Sequence, residues 1–523
     1  MKKIFTLFSA MLMSIASFAT TYNGTLTVTV NGEVSEQPTS VSIDEVNGNY
    51  KLSINNFMLV AGETPLPVGN IVIDHVPGAV NGGLTTLCTN QEIQILAGNV
   101  EGIAEEDWLG PLLGTVPVEM NARFTGEGYV VTDIHINMVE LGQVIDVKFE
   151  NVGTHFQMPN SDFETWSTKN NAPKNWHGFE SVTGKFSSTA NKGVKLRSSS
   201  NVRPGSTGKT SAVVTCTKVL TVIANGTMTN GRLAAGSMSA KDPANHSETN
   251  LSSTDKDAND DPFATPMYAK PDSVKFWMRF TQAQAQASNP YAAFNAVITD
   301  STYYQDPEDK VYTNKVAVAA PNKADMTVGD WRLVSCPFDY ASYAANGAEA
   351  KAILMTFSTN ATPGKGSFVN NVADSVYVDD LELVYLADIK SVSFKGAALD
   401  LATTDIPISD DDVISANDFV VEKIGEDAKV TTLVEANAKG YQAVISVVSG
   451  DLNTQKTLVF NFNKPVWADG DVNHDGVVDL ADVTLLINKV LGADATQLYN
   501  PDVNADGNVD VADVTTLVSL ILG

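Results

Sequence analysis

The sequence predicts a mainly β, multidomain protein that ends in a small helical module. Three observations carry that prediction. Short runs of alternating apolar and polar residues, rich in Thr, Val, Asn and Gly, recur from Thr21 to Phe462. Turn signals built on Gly and Asn separate them. The last stretch changes period: two apolar stripes at helical spacing each follow an acidic loop. At roughly 100–200 residues per domain, the 523 residues fit three or four domains.

The start reads as an export signal. Lys2 and Lys3 precede the apolar run Ile4 to Phe18, and Ser17-Phe18-Ala19 is a small-x-small cleavage site. Residues 1–19 are therefore expected to be a signal peptide, with Thr20 as the mature N-terminus. A membrane anchor is the other reading, but the run is shorter than the ~20 residues of a spanning helix. No later apolar stretch is long enough to span a bilayer, and no Cys near the cleavage site invites a lipid. The expected location is secreted, extracellular or at the cell surface. The net charge of −27 and pI of about 4.5 exclude nucleic acid and an anionic membrane surface as partners. They suit a protein that collects divalent cations. Cys88, Cys216 and Cys336 are odd in number and far apart, so at most one bridge forms and buried free thiols are expected.

Residues 21–152 form the first segment. Leu26, Val28 and Val30 alternate with Thr25, Thr27 and Thr29, and Asn47-Gly48 joins two runs as a hairpin signal. Many short strands of this kind predict a barrel or a sandwich. Tyr22-Asn23-Gly24-Thr25-Leu26 and Pro67-Val68-Gly69-Asn70-Ile71 resemble the calycin-like, lipocalin-type barrel of exported Bacteroidetes proteins. That resemblance implies eight strands in a closed barrel, either around a small apolar cavity or filled.

Residues 156–386 open with Phe163-Glu164-Thr165-Trp166 and Pro173-Lys174-Asn175-Trp176. They continue with Ser273 to Phe280 and Ile353 to Asn360, and end with Tyr377-Val378-Asp379-Asp380-Leu381-Glu382-Leu383. This ordered series resembles the carbohydrate metabolism domain of Bacteroidetes proteins, a relative of carbohydrate-binding jelly rolls. Ser239 to Asp261 is polar and reads as a long exposed loop. Residues 387–464 read as a small immunoglobulin-like β-sandwich or spacer.

Residues 467–523 hold a duplicated motif. Asp471, Asn473, Asp475, Val477, Asp479 and Asp482 occupy positions 1, 3, 5, 7, 9 and 12 of one loop. Asp502, Asn504, Asp506, Asn508, Asp510 and Asp513 repeat it 31 residues on. Calcium takes six to eight oxygens, and this spacing offers side-chain oxygens plus the backbone carbonyl of position 7. Gly476 and Gly507 permit the turn at position 6. Two calcium ions are expected. Position 12 is Asp rather than Glu, and Pro465 and Pro501 leave no room for a preceding helix. Both features resemble the type I dockerin version of an EF-hand loop. The stripes Val483, Leu486, Ile487, Val490 and Val514, Leu517, Val518, Ile521 predict two packed helices. The resemblance implies a cohesin-like protein partner, chosen in part by loop positions 10 and 11. Here those are Leu480-Ala481 and Val511-Ala512, without the Ser/Thr pair of clostridial dockerins, so another docking partner, or a cap with none, stays open. Trp467 is expected to pack on the module's far end and clasp its termini.

No catalytic signature stands out. Gly208-Lys209-Thr210 lacks the first glycine of a phosphate loop, which would fall at Arg203. In Val274 to Phe280 the even positions share one face, which leaves Trp277 on the other as the candidate sugar platform. Trp176 and Trp331 are weaker candidates, and Asp379 with Asp380 is a candidate structural calcium site. The favoured function is a non-catalytic, scaffold-attached glycan-binding protein. The alternative is a glycoside hydrolase or lyase with its active site in the jelly roll.

Overall fold

The computed structural model describes residues 20–60, 65–139, 142–170, 172–191, 195–219, 221–493 and 498–523. The expected signal peptide of residues 1–19 lies outside them. Two compact units emerge. One runs to Ser393 and takes in Val420–Leu433 and Ile445–Leu458; the other comprises Phe394–Phe419, Val434–Val444 and Val459–Gly523.

Nine strands form the first sheet: β1 Thr20–Val30, β2 Glu33–Val46, β3 Asn49–Leu59, β4 Leu66–Val76, β5 Gly78–Asn81, β6 Leu84–Gln94, β7 Thr115–Thr125, β8 Val130–Met138 and β9 Gln143–Glu150. Their order is β4-β3-β2-β1-β9-β8-β7-β6-β5, and every pairing is antiparallel. The Asn47-Gly48 hairpin forms, with both residues left-handed. The eight-stranded, fully closed barrel is corrected on two points. Pro77, which has no N–H to donate, separates β4 from the short β5, so nine strands result. Among the described residues, closure rests on one β-bridge, in which the Asn70 N–H meets the Leu96 carbonyl at 2.7 Å and the return bond is 3.1 Å. Gly69 makes that bridge possible. Its φ is +129°, and a Cβ there would sit 2.1 Å from the Leu96 carbonyl oxygen. Leu26, Val28, Ile43, Ile73, Met120 and Phe149, with other apolar side chains, pack together in the barrel core.

The second region is a β-sandwich. One sheet holds β10 Lys195–Ser199, β11 Ser211–Thr215, β18 Ser375–Val384, β13 Ser273–Thr281 and β16 Gly329–Pro337, in that spatial order. The other holds β12 Thr227–Thr229, β17 Ala352–Ser358, β14 Ala293–Thr299 and β15 Lys315–Ala319. Period-2 alternation sets the interface: Val274, Phe276, Met278 and Phe280 of β13 are fully buried against Phe294 of β14 and Phe357 of β17. Trp176, a candidate platform, is 0 % exposed and belongs to this core. The expected loop of residues 239–261 is also corrected. Asn245–Thr249 is a strand between Arg232–Ala235 and Tyr304–Asp306. Asp257 then folds back, accepting from the N–H groups of Asn259 and Asp261.

After Tyr385 the chain adds two small sheets of three and four strands. One end of the barrel shares a buried cluster with the second of these: Leu84, Val131 and Val152 meet Val448 and Leu452. Arg123 of β7, 1 % exposed, is planted there. Its guanidinium donates to the carbonyls of Leu452 and Asn453 and pairs with Asp133. All three cysteines are free; burial pushes the thiols of Cys216 and Cys336 up to about 12. No helix among the described residues is long and apolar enough to cross a membrane.

Candidate functional site

The C-terminal loops are two copies of one geometry. Position 4 is left-handed in both, at φ 57° for His474 and 58° for Ala505; the Gly476 and Gly507 φ values are 90° and 89°. The Asp471 carboxylate accepts from the N–H groups of Asp475 and Gly476, at 3.2 and 3.0 Å. Asp502 accepts from Asp506 and Gly507, at 3.1 and 2.8 Å. Asn473 and Asn504 each accept from the N–H two residues on, as do Asp475 and Asp506. Val477 and Asn508 are exposed at position 7, where only the carbonyl matters.

Each loop runs into a helix, α1 Leu480–Val490 and α2 Val511–Leu522. Asp479 and Asp510 are their N-caps, accepting from Ala481 and Ala512. Asp482 and Asp513 complete capping boxes by accepting from the cap residues' own N–H groups, and they reach back to the N–H of Asn473 and Asn504. Loop positions 9 and 12 are thus also helix N-cap and N3. Asp-x-x-Asp before an apolar run was the available signal for this, and counting ligands alone passes over it. Val483, Leu486 and Leu517 form the core between the helices. Ile487 and Ile521, the outer members of the predicted stripes, stay partly exposed.

Asp471, Asp482 and Asp513 are 3, 0 and 1 % exposed. Among the described residues none of them meets a Lys, Arg or His; their partners are loop N–H groups. The N–H of Asp510, above all, holds the Asp513 carboxyl below its ordinary range. No three His, Cys, Asp or Glu side chains among the described residues are already drawn into one coordination sphere. The donor set nevertheless fits a hard cation: carboxylates and amides are held on one loop, and buried anions lack a counter-charge.

Trp467 is placed differently from expectation. It stacks on His474 at 4.5 Å, and Tyr499 covers the other face of that imidazole at 3.9 Å. The Trp467 Nε1–H donates to Asp410 at 2.7 Å, and the same carboxylate oxygen lies 3.0 Å from His474 Nδ1. The aromatic ring therefore clamps the first loop rather than the far end. A planar side chain beside a loop that carries its own ring stacks locally.

On the sandwich, Trp277 is half-buried on the outward face of β13, as alternation requires. Arg203 lies over its ring at 5.4 Å and pairs with Asp380. Trp331 and Tyr377 share this face, their centroids 6.3 Å apart, and Trp331 donates to Asn201. Asp379 is buried and accepts from the N–H groups of Arg203 and Asp380. Burial, against those bonds, pushes its carboxyl up to about 6. The candidate calcium site at Asp379 and Asp380 is thus corrected: Arg203 supplies the positive charge there.

The fold and the paired loops define a mainly β, multidomain chain with a small C-terminal helical module. The family model of the calycin-like β-barrel domain matches residues 18–152, and that of the dockerin type I domain matches residues 469–522. The chain carries both domains. Type I dockerin domains bind calcium as a family and imply a cohesin-type protein partner. Among solved structures, the chain is similar to a Bacteroides fragilis protein provisionally assigned to the outer membrane, at 8 % identity and a TM-score of 0.17; the match covers 65 % of this chain and 96 % of that one. It is also similar to the N-terminal CBM22 tandem domain of Paenibacillus barcinonensis Xyn10C, at 9 % identity and a TM-score of 0.19, over 70 % and 97 % of the two chains. Scores that low carry no fold assignment. No curated protein matches.

Proposed function

We propose that the protein is an exported, non-catalytic carbohydrate-binding protein attached through a calcium-organised dockerin module. The duplicated loop carries this reading: two matching sets of oxygens, each with a buried carboxylate that no side-chain cation among the described residues neutralises. Asp471, Asn473, Asp475, Asp479, Asp482 and the Val477 carbonyl hold one ion. Asp502, Asn504, Asp506, Asp510, Asp513 and the Asn508 carbonyl hold the second. Bound calcium neutralises the loops and lets both helices present their exposed apolar residues, Leu480 and Val511 among them, to a cohesin-like or other protein partner. Residues 21–152, 156–386 and 387–464 are the barrel, the carbohydrate-handling jelly roll and a spacer. The aromatic band of Trp277, Trp331 and Tyr377 supports glycan binding on the sandwich. Calorimetric titration of chelator-stripped, full-length protein with calcium is expected to reach two ions per chain, and one after Asp513→Asn. Absence of binding would overturn the module's role. A glycan array run with native protein and Trp277→Ala tests the sandwich: unchanged binding by the variant removes Trp277, and release of reducing or unsaturated ends removes the non-catalytic reading.

A further inference from the structure

The barrel core is packed with apolar side chains, yet its outer wall holds a groove of about 350 Å³. A second hollow of about 390 Å³ shares Asn121 and Asp133 with it and reaches Asn453, Thr454 and the start of the strand Gln455–Asn463. Strand register fixes what faces the groove. One row across β1, β9, β8 and β7 reads Thr27, Lys148, Asp133, Asn121, and the next reads Thr29, Asp146, His135, Glu119. These residues alternate with the inward Leu26, Val28, Ile134 and Met120, so the sequence that fills the core also builds the groove.

Part of this wall is fixed and part is unengaged. Buried Arg123 holds Asp133, and the Asp146 carboxylate lies 2.7 Å from His135 Nδ1. Among the described residues, Glu119 and Lys148 form no ion pair, and Asn121 lies beside Asp133 on the groove wall. Three carboxylates repel an anion such as phosphate, while Arg123 and Lys148 oppose a bare cation. A set of acceptors and donors spaced at strand separation and nearly balanced in charge suits hydroxyl groups, which both donate and accept. We propose that this groove binds a neutral, hydroxyl-rich ligand, one end of an uncharged oligosaccharide. The site is separate from the sandwich face of Trp277, and the barrel acts through its outside.

Photoreactive, diazirine-bearing cellohexaose, maltohexaose and xylohexaose, cross-linked to full-length protein and mapped by mass spectrometry, test this. At least one sugar is expected to label peptides spanning Thr27–Thr29, Glu119–Asn121, Asp133–His135 or Asp146–Lys148. The yield there is expected to fall roughly five- to tenfold per substitution in Asn121→Ala and in Glu119→Gln, the weight of one or two hydrogen bonds. Glu119 is exposed, so its variant folds even if Asn121→Ala does not. Labelling confined to the Trp277 face, preference for an oligogalacturonate probe, or no labelling overturns the groove. Labelling of the groove without the Trp277 face would instead sink the sandwich site and leave this one standing.

Discussion

At the scale of single residues, Asp379 shows what burial does to a carboxyl that alternation places on an outer face. Its side chain is closed in beneath Arg203, and desolvation outweighs the two N–H bonds it accepts. A carboxyl at about 6 in the fold and near 3.9 in the unfolded chain makes the native state the tighter proton binder between those values. Its stabilising contribution is therefore complete below about pH 4 and lost as pH rises through 6. Melting temperatures of native protein and Asp379→Asn across that window check this. The native protein is expected to lose stability relative to the variant from pH 4 to 6; parallel profiles would refute the assignment. The sequence placed Trp277 correctly by parity but gave no hint of Arg203, which lies 74 positions earlier in the loop between β10 and β11. Trp176 failed as a platform for the same kind of reason: nothing local distinguishes a buried tryptophan from an exposed one.

At the scale of elements, α1 and α2 depend on the loops before them. Each is 11 or 12 residues long, marginal for an isolated helix in water. The core between them is small, and the carboxylates that cap them are also the proposed calcium ligands. Removing calcium leaves those anions crowded in an acidic segment, so the caps and the helices are expected to go together. Chelator added to full-length protein should abolish the helical part of the far-ultraviolet circular dichroism and leave the β signal. A spectrum unmoved by chelator would disprove the coupling. The loops and both stripes were legible in sequence because all their contacts are local. The partial exposure of Ile487 and Ile521 was not, since it depends on the angle at which two helices cross.

At the scale of the first compact unit, Arg123 ties the barrel to the turn after Val448. Replacing it by Met leaves the carbonyls of Leu452 and Asn453 without donors, while the half-exposed Asp133 returns to water. We expect a loss of about 2–4 kcal/mol, read as a lower urea midpoint at unchanged slope. No shift would mean that the junction contributes nothing. By itself, the sequence determined what repeats at short range. It set the strand alternation, the Asn-Gly hairpin, the twelve-residue loops and their 31-residue offset, because side-chain period and ligand spacing are properties of neighbours along the chain. Only the tertiary structure decided the closure of the barrel through Gly69 and Asn70, the guanidinium over Trp277 and the groove on the barrel wall. Those features join residues far apart in sequence, and their energies depend on distances that exist only once the sheets have formed.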